Sequence, residues 1–168
     1  MATISIYWED LAPGSVRQLG SVTPTAQEIA DFARQFDPQP FHLDEAAGAQ
    51  SVFGGLCASG WHTCAMAMRL TVDNFLSQSA SMGSPGLDNL RWLKPVFAGD
   101  TLRLQHTILE SRPLNSRPDT GLVHSRWEMF NQHGDKVLQM EGYGMFGRRH
   151  AASGTQADPS RTGNLSEA

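Results

Sequence analysis

Cysteine is scarce in this chain: Cys57 and Cys64 are the two present, too few for a disulfide framework. No second pair of Cys or His ligands accompanies them at zinc-site spacing, so both read as small buried side chains. Long apolar runs are also missing. No window approaches the roughly 20 apolar residues of a membrane span, and Glu9 and Asp10 fall where a secretory leader needs an apolar stretch. Basic clusters are equally thin. Thirteen Lys and Arg against 17 Asp and Glu give a net charge of −4, with Arg148–Arg149 the densest basic pair. Nucleic acid is therefore not an expected partner, because neutralising phosphates takes clustered cations. These deficits predict a cytoplasmic protein without a membrane or nucleic-acid partner.

What remains is an ordinary globular composition. The chain has 168 residues, 40 % of them apolar and 18 % charged, which fits one domain with a single core. Residues 150–168 are rich in Ser, Ala, Gly and Pro and poor in apolar side chains. They read as a disordered tail on a domain of residues 1–149.

The first expected element is a strand from Ser15 to Val22. Thr25 and Glu28 have capping-box spacing, and Ile29, Phe32, Ala33 and Phe36 follow as one helical stripe. Asp37 precedes a proline and must end that helix, which makes Asp37 to His42 a rigid extended excursion. Asp44 can cap a short helix through Glu45, Ala46 and Ala47, and a Gly54-Gly55 loop leads to a long helix from Trp61. Its expected buried stripe is Trp61, Cys64, Ala65, Met68, Val72, Phe75 and Leu76. Ser77 to Gly86 reads as a loop.

The period then changes to two. Strands are expected over Leu87–Phe97, Thr101–Glu110, about Val123–Met129 and Val137–Gly147, with a loop from Arg112 to Thr120 and a turn at His133-Gly134-Asp135. Leu102, Leu104 and Ile108 share a face with His106. Gly142 and Gly144 leave room for close packing. One strand, helices, a long apolar helix and four strands give an α+β layer in which an antiparallel sheet wraps the long helix.

The run Asp37-Pro38-Gln39-Pro40-Phe41-His42-Leu43-Asp44 resembles the hydratase motif of the MaoC-like family. That motif is an Asp, a proline three residues on, a His five on, and an Asp two later. Phe53-Gly54-Gly55 with Ala58-Ser59-Gly60, and Pro95-Val96 with Gly99-Asp100-Thr101-Leu102, match further stretches in the same order, so the resemblance spans about residues 7–149. It implies the hot-dog fold, an acyl-thioester substrate on CoA or a carrier protein, no cofactor, and a homodimer or larger homo-oligomer. It also implies R-specific hydration of 2-enoyl thioesters, or the reverse dehydration, with Asp37 and His42 jointly activating water and Gly60 polarising the thioester carbonyl. Two positions depart from the pattern: Gln39 stands where many members have Asn, and Met68 where some carry a serine that assists the site.

The residues make a case of their own. Hydrating a double bond conjugated to a thioester needs a base for water, a proton for C2, and donors for the enolate oxygen. A carboxylate and an imidazole on a proline-stiffened loop can converge on one water. Gly60 opens the long helix, where a free N–H backed by the helix's positive end suits an oxyanion. The dull alternatives are that Asp37 terminates a turn, His42 fills a core, and Asp44 only caps. His42 and Asp44 lack a third metal ligand, so no metal is expected. His62, His106, His124 and His133 show no partner pattern and read as structural or exposed. A thioesterase on the same fold and a non-catalytic acyl-thioester-binding module remain as alternative functions.

Overall fold

The computed structural model describes residues 3–149. The expected tail from His150 onward lies outside the described residues. In chain order the elements are β1 (Val16–Val22), α1 (Ala26–Phe36), α2 (Pro40–Leu43), α3 (Glu45–Gln50), α4 (Gly60–Asn74), β2 (Ser81–Trp92), β3 (Leu102–Leu114), β4 (Arg117–Phe130) and β5 (Lys136–Gly147). The strands form one sheet in the order β1-β3-β4-β5-β2, with every neighbouring pair antiparallel.

Local chemistry sets the helix ends as expected. The Thr25 hydroxyl accepts the Glu28 N–H, and the Glu28 carboxylate accepts the Thr25 N–H, closing the capping box of α1. Asp44 caps α3 by accepting the Ala47 N–H at 2.8 Å. The inner face of the sheet carries Leu102, Leu104 and Ile108 of β3, Val123 and Met129 of β4, and Leu138, Met140 and Phe146 of β5, all buried in one cluster with Met66 and Ala67 of α4. Gly142 is small for the reason anticipated: a Cβ there would lie 2.8 Å from the Gly86 carbonyl oxygen. No helix among the described residues is long and apolar enough to cross a membrane.

The structure corrects the sequence reading at several points. The buried face of α4 is His62, Thr63, Met66, Ala67 and Thr71, whereas Trp61, Met68 and Val72 of the expected stripe are exposed. Thr63, Ala67 and Thr71 recur at four-residue spacing on that face. The Thr71 hydroxyl donates to the Ala67 carbonyl at 2.7 Å, so it is buried at little cost. Phe36, expected in the α1 stripe, is also exposed, and Ala30 is buried instead.

The extended excursion at Asp37 is half helical, because Pro40 starts α2 at its first turn, where a missing N–H costs nothing. β2 begins at Ser81 inside the expected loop and ends at Trp92 rather than Phe97. β3 and β4 run on through the expected Arg112–Thr120 loop to a two-residue turn at Asn115-Ser116. Both extensions are largely exposed, so main-chain pairing defines them without any apolar alternation.

Candidate active site

Helix α1 stops at Asp37, whose N–H still reaches the Ala33 carbonyl at 2.9 Å before Pro38 forbids another helical residue. Helix α2 then turns His42 inward until only 6 % of it is exposed. His42 Nδ1 lies 2.7 Å from the Cys57 carbonyl oxygen. A carbonyl can only accept, so Nδ1 carries a hydrogen, and in the neutral ring the lone pair sits on Nε2. The Cys57–Ala58 segment is itself held, by the Cys57 N–H on the Phe41 carbonyl (3.4 Å) and the Ala58 N–H on the Val96 carbonyl (2.8 Å). His42 Nε2 faces Asp37 Oδ2 at 3.5 Å.

Both oxygens of Asp37 are engaged. Gln39 Nε2 donates to Oδ1 at 2.8 Å and Ser59 Oγ donates to Oδ2 at 2.7 Å. Burial pushes the Asp37 carboxyl up, but the donors Ser59 and Gln39 and the nearby His42 outweigh it and hold the group below the ordinary aspartate value. Asp37 is thus an ionised acceptor at neutral pH.

Gly60 opens α4, and the preceding Ser59 is its N-cap, accepting the Trp61 N–H at 3.2 Å. A Cβ on Gly60 would lie 2.4 Å from the Trp92 indole. The glycine therefore makes room for the Trp92 ring, which packs edge-on to Trp61 with centroids 5.3 Å apart. Asp37, His42 and Gly60 all line one cavity of about 460 Å³, walled by Phe36, Phe41, Phe53, Trp61, Trp92 and Val96, with Lys94 at its rim. Acceptors side by side in an apolar cleft, next to the first turn of a fifteen-residue helix, can orient a water and receive its proton.

All three site residues expected from the sequence thus meet in one cavity. Asp44 and Met68 do not line it: Asp44 caps α3, and Met68 is exposed on the outer face of α4. His62 is buried and stacked on Phe32 (4.6 Å between centroids), and His106 is enclosed between Phe75 and Trp127. Among the described residues no group of three His, Cys, Asp or Glu is placed to hold a metal ion. Sequence reasoning missed Ser59, Trp92 and the Cys57 carbonyl. Ser59 carried a readable signal, since serine before a helix start is a common N-cap. The others follow from tertiary contacts.

The MaoC-like domain model matches residues 11–123. The structure is similar to that of a MaoC-like dehydratase from Rhodospirillum rubrum, with 40 % identity, a TM-score of 0.82, and coverage of 87 % of this chain and 99 % of that one. The sequence is 26 % identical to the uncharacterized protein YdeM of Bacillus subtilis over 79 % of this chain and 93 % of that protein. It is 41 % identical to mesaconyl-CoA hydratase of Cereibacter sphaeroides over 63 residues, which are 38 % of this chain and 18 % of that much longer protein. The sheet wrapped on α4 is the hot-dog fold, and the chain belongs to the MaoC-like dehydratase family.

Proposed function

We propose that the protein is a cofactor-free hydro-lyase that adds water to 2-enoyl thioesters, or removes it from 3-hydroxyacyl thioesters, in the cytoplasm. The observation that carries this reading is the pairing of Asp37 Oδ2 with His42 Nε2 at 3.5 Å inside the cavity that Gly60 lines. A water placed between them can donate one hydrogen to each acceptor, leaving an oxygen lone pair for C3 of the enoyl group. The pair takes one proton as the C–O bond forms and returns one to C2, so the reaction consumes no net proton. The Gly60 N–H stabilises the enolate oxygen that forms between these steps. Free Cys57 and Cys64 fit a reducing compartment. R stereochemistry at C3 is the expectation that the motif resemblance carries.

The reading includes a homodimer. Trp61, Met68 and Val72 on α4 and Leu87, Trp92 and Leu93 at the sheet edge are exposed, and β2 pairs on one side only. An unpartnered edge flanked by large apolar side chains suits a second copy of the chain.

The deciding experiment is hydration of a panel of enoyl-CoA esters, followed by chiral analysis of the product. Asp37→Asn and His42→Gln should each lower turnover at least about a hundredfold, and the double variant should be scarcely worse than either. His62→Gln and His124→Gln should stay within about threefold of the parent. Release of free thiol from saturated acyl-CoA would support a thioesterase instead, and binding without turnover an acyl-binding module. Parental hydration by folded Asp37→Asn and His42→Gln would refute the mechanism.

A further inference from the structure

Ser59 touches both halves of the site. Its hydroxyl accepts the Trp61 N–H at 3.2 Å and donates to Asp37 Oδ2 at 2.7 Å. A serine hydroxyl has one hydrogen, and here it is committed to the carboxylate while the oxygen caps α4. Ser59 is fully buried (0 % exposed), so bulk water does not compete for either contact. The oxygen it holds, Oδ2, is the one that faces His42 Nε2. Gln39 cannot replace this restraint, because it is exposed and binds the other oxygen.

We infer that Ser59 is a positioning residue that locks the Asp37 carboxylate to the first turn of α4, so that proton acceptor and oxyanion donor move as one unit. The inference rests on the hydration reading above. Without the hydroxyl, the carboxylate can rotate about its χ2 bond and Oδ2 leaves its place opposite His42. Misplacement of a reacting group by about 1 Å typically costs on the order of a hundredfold in rate. The lost bond also removes one cause of Asp37's lowered pKa. The sign follows: losing a donor to the charged form raises the pKa, so the Asp37 carboxyl takes up its proton at higher pH in the variant.

The test compares Ser59→Gly, Ser59→Ala and Ser59→Thr in the full-length protein. Glycine serves nearly as well as serine at an N-cap, so Ser59→Gly removes the bond to Asp37 with little loss of the helix start. We expect kcat to fall about tenfold to a hundredfold in the Gly and Ala variants with KM changed less than about threefold, the pattern of lost transition-state alignment. The Asp37 carboxyl, followed by carbon-13 NMR, should titrate at higher pH in both. Ser59→Thr, which keeps the hydroxyl, should keep the parental titration and kcat. Thr25→Ala breaks the cap of α1 instead and should lower Tm while leaving the Asp37 titration in place.

A folded Ser59→Gly variant whose kcat and Asp37 titration both match the parent overturns the inference, as does a loss of Tm without either change. The carboxyl titration needs no turnover. If Asp37→Asn retains hydration, the catalytic reading fails, while the NMR measurement still decides whether Ser59 controls the carboxylate.

Discussion

Acidification from pH 7 towards 4 should weaken the fold through His106. This ring is 0 % exposed, lies 5.0 Å from Phe75 and 5.1 Å from Trp127, and has no hydrogen-bond partner on either nitrogen among the described residues. Burial, helped by the charge of nearby Arg17, pushes its pKa down from 6.5 to about 4. Between these values the unfolded chain takes up a proton that the folded chain refuses, so stability is full above pH 6.5 and drains away as pH falls to about 4. At about 1.4 kcal/mol for each pH unit the loss comes to about 3 kcal/mol, a sizeable share of the ~5–15 kcal/mol that holds a typical domain. The assay is urea unfolding followed by circular dichroism at half-unit steps from pH 7.5 to 4. His106→Leu keeps the approximate volume and removes both unpaired nitrogens, so it should be neutral or stabilising at pH 7. Its stability should fall by about 3 kcal/mol less than the parent's over the same range. The acidic groups Asp37 and Glu141 have lowered pKa values and weaken the fold at lower pH, but they are common to both proteins and cancel in the difference. Parallel pH profiles for parent and His106→Leu would refute the reasoning.

Three further outcomes are expected. Gly60→Ala drives a methyl into the Trp92 indole, 2.4 Å from the new atom, so tryptophan fluorescence should change and hydration fall at least about tenfold, with Trp92→Ala in the same chain recovering part of the loss. Leu104→Ala empties a fully buried position between β3 and α4 and should cost about 2–5 kcal/mol in urea unfolding without altering the acid limb of activity. Trp61→Asp combined with Met68→Asp places two charges on the exposed apolar face of α4, and light scattering should report monomer for this variant and, on the proposed reading, dimer for the parent; an unchanged mass would remove the second copy from that face.

The parts of the fold that were readable are those where one residue's local chemistry decides. Thr25 with Glu28, Pro38 after Asp37, and Asp44 before α3 each set a helix boundary through a bond or a clash within a few residues. The inner faces of β3 and β5 were readable because apolar side chains alternate there. Helix α4 misled for a physical reason. Its large apolar residues Trp61, Met68 and Val72 made the stripe that periodicity selects, whereas the face that is buried mixes Met66 and Ala67 with His62, Thr63 and Thr71. The two threonines can be buried there because their hydroxyls donate to the Ser59 and Ala67 carbonyls, a compensation that polarity alone does not reveal. The exposed start of β2 and the tips of β3 and β4 lacked any pattern, because strands exposed on both sides have no buried face to encode.

The site divides along the same line. Asp37 and His42 belong to one short segment, and the prolines that stiffen it could be read as a device for bringing a carboxylate and an imidazole together. What makes the pair chemically specific comes from far along the chain. Cys57 fixes the His42 tautomer from fifteen residues away, and Ser59 fixes the carboxylate from twenty-two. Both lie in the loop that ends at Gly60, and that loop is tied to Val96 beyond β2. The proposed catalytic geometry is therefore a property of the loop between α3 and α4 as much as of the Asp–His segment. Any change that shifts the start of α4 must move the His42 partner, the Asp37 partner and the proposed oxyanion donor together. For this reason Gly60, whose missing side chain seats Trp92, constrains the whole constellation more tightly than its own single N–H suggests.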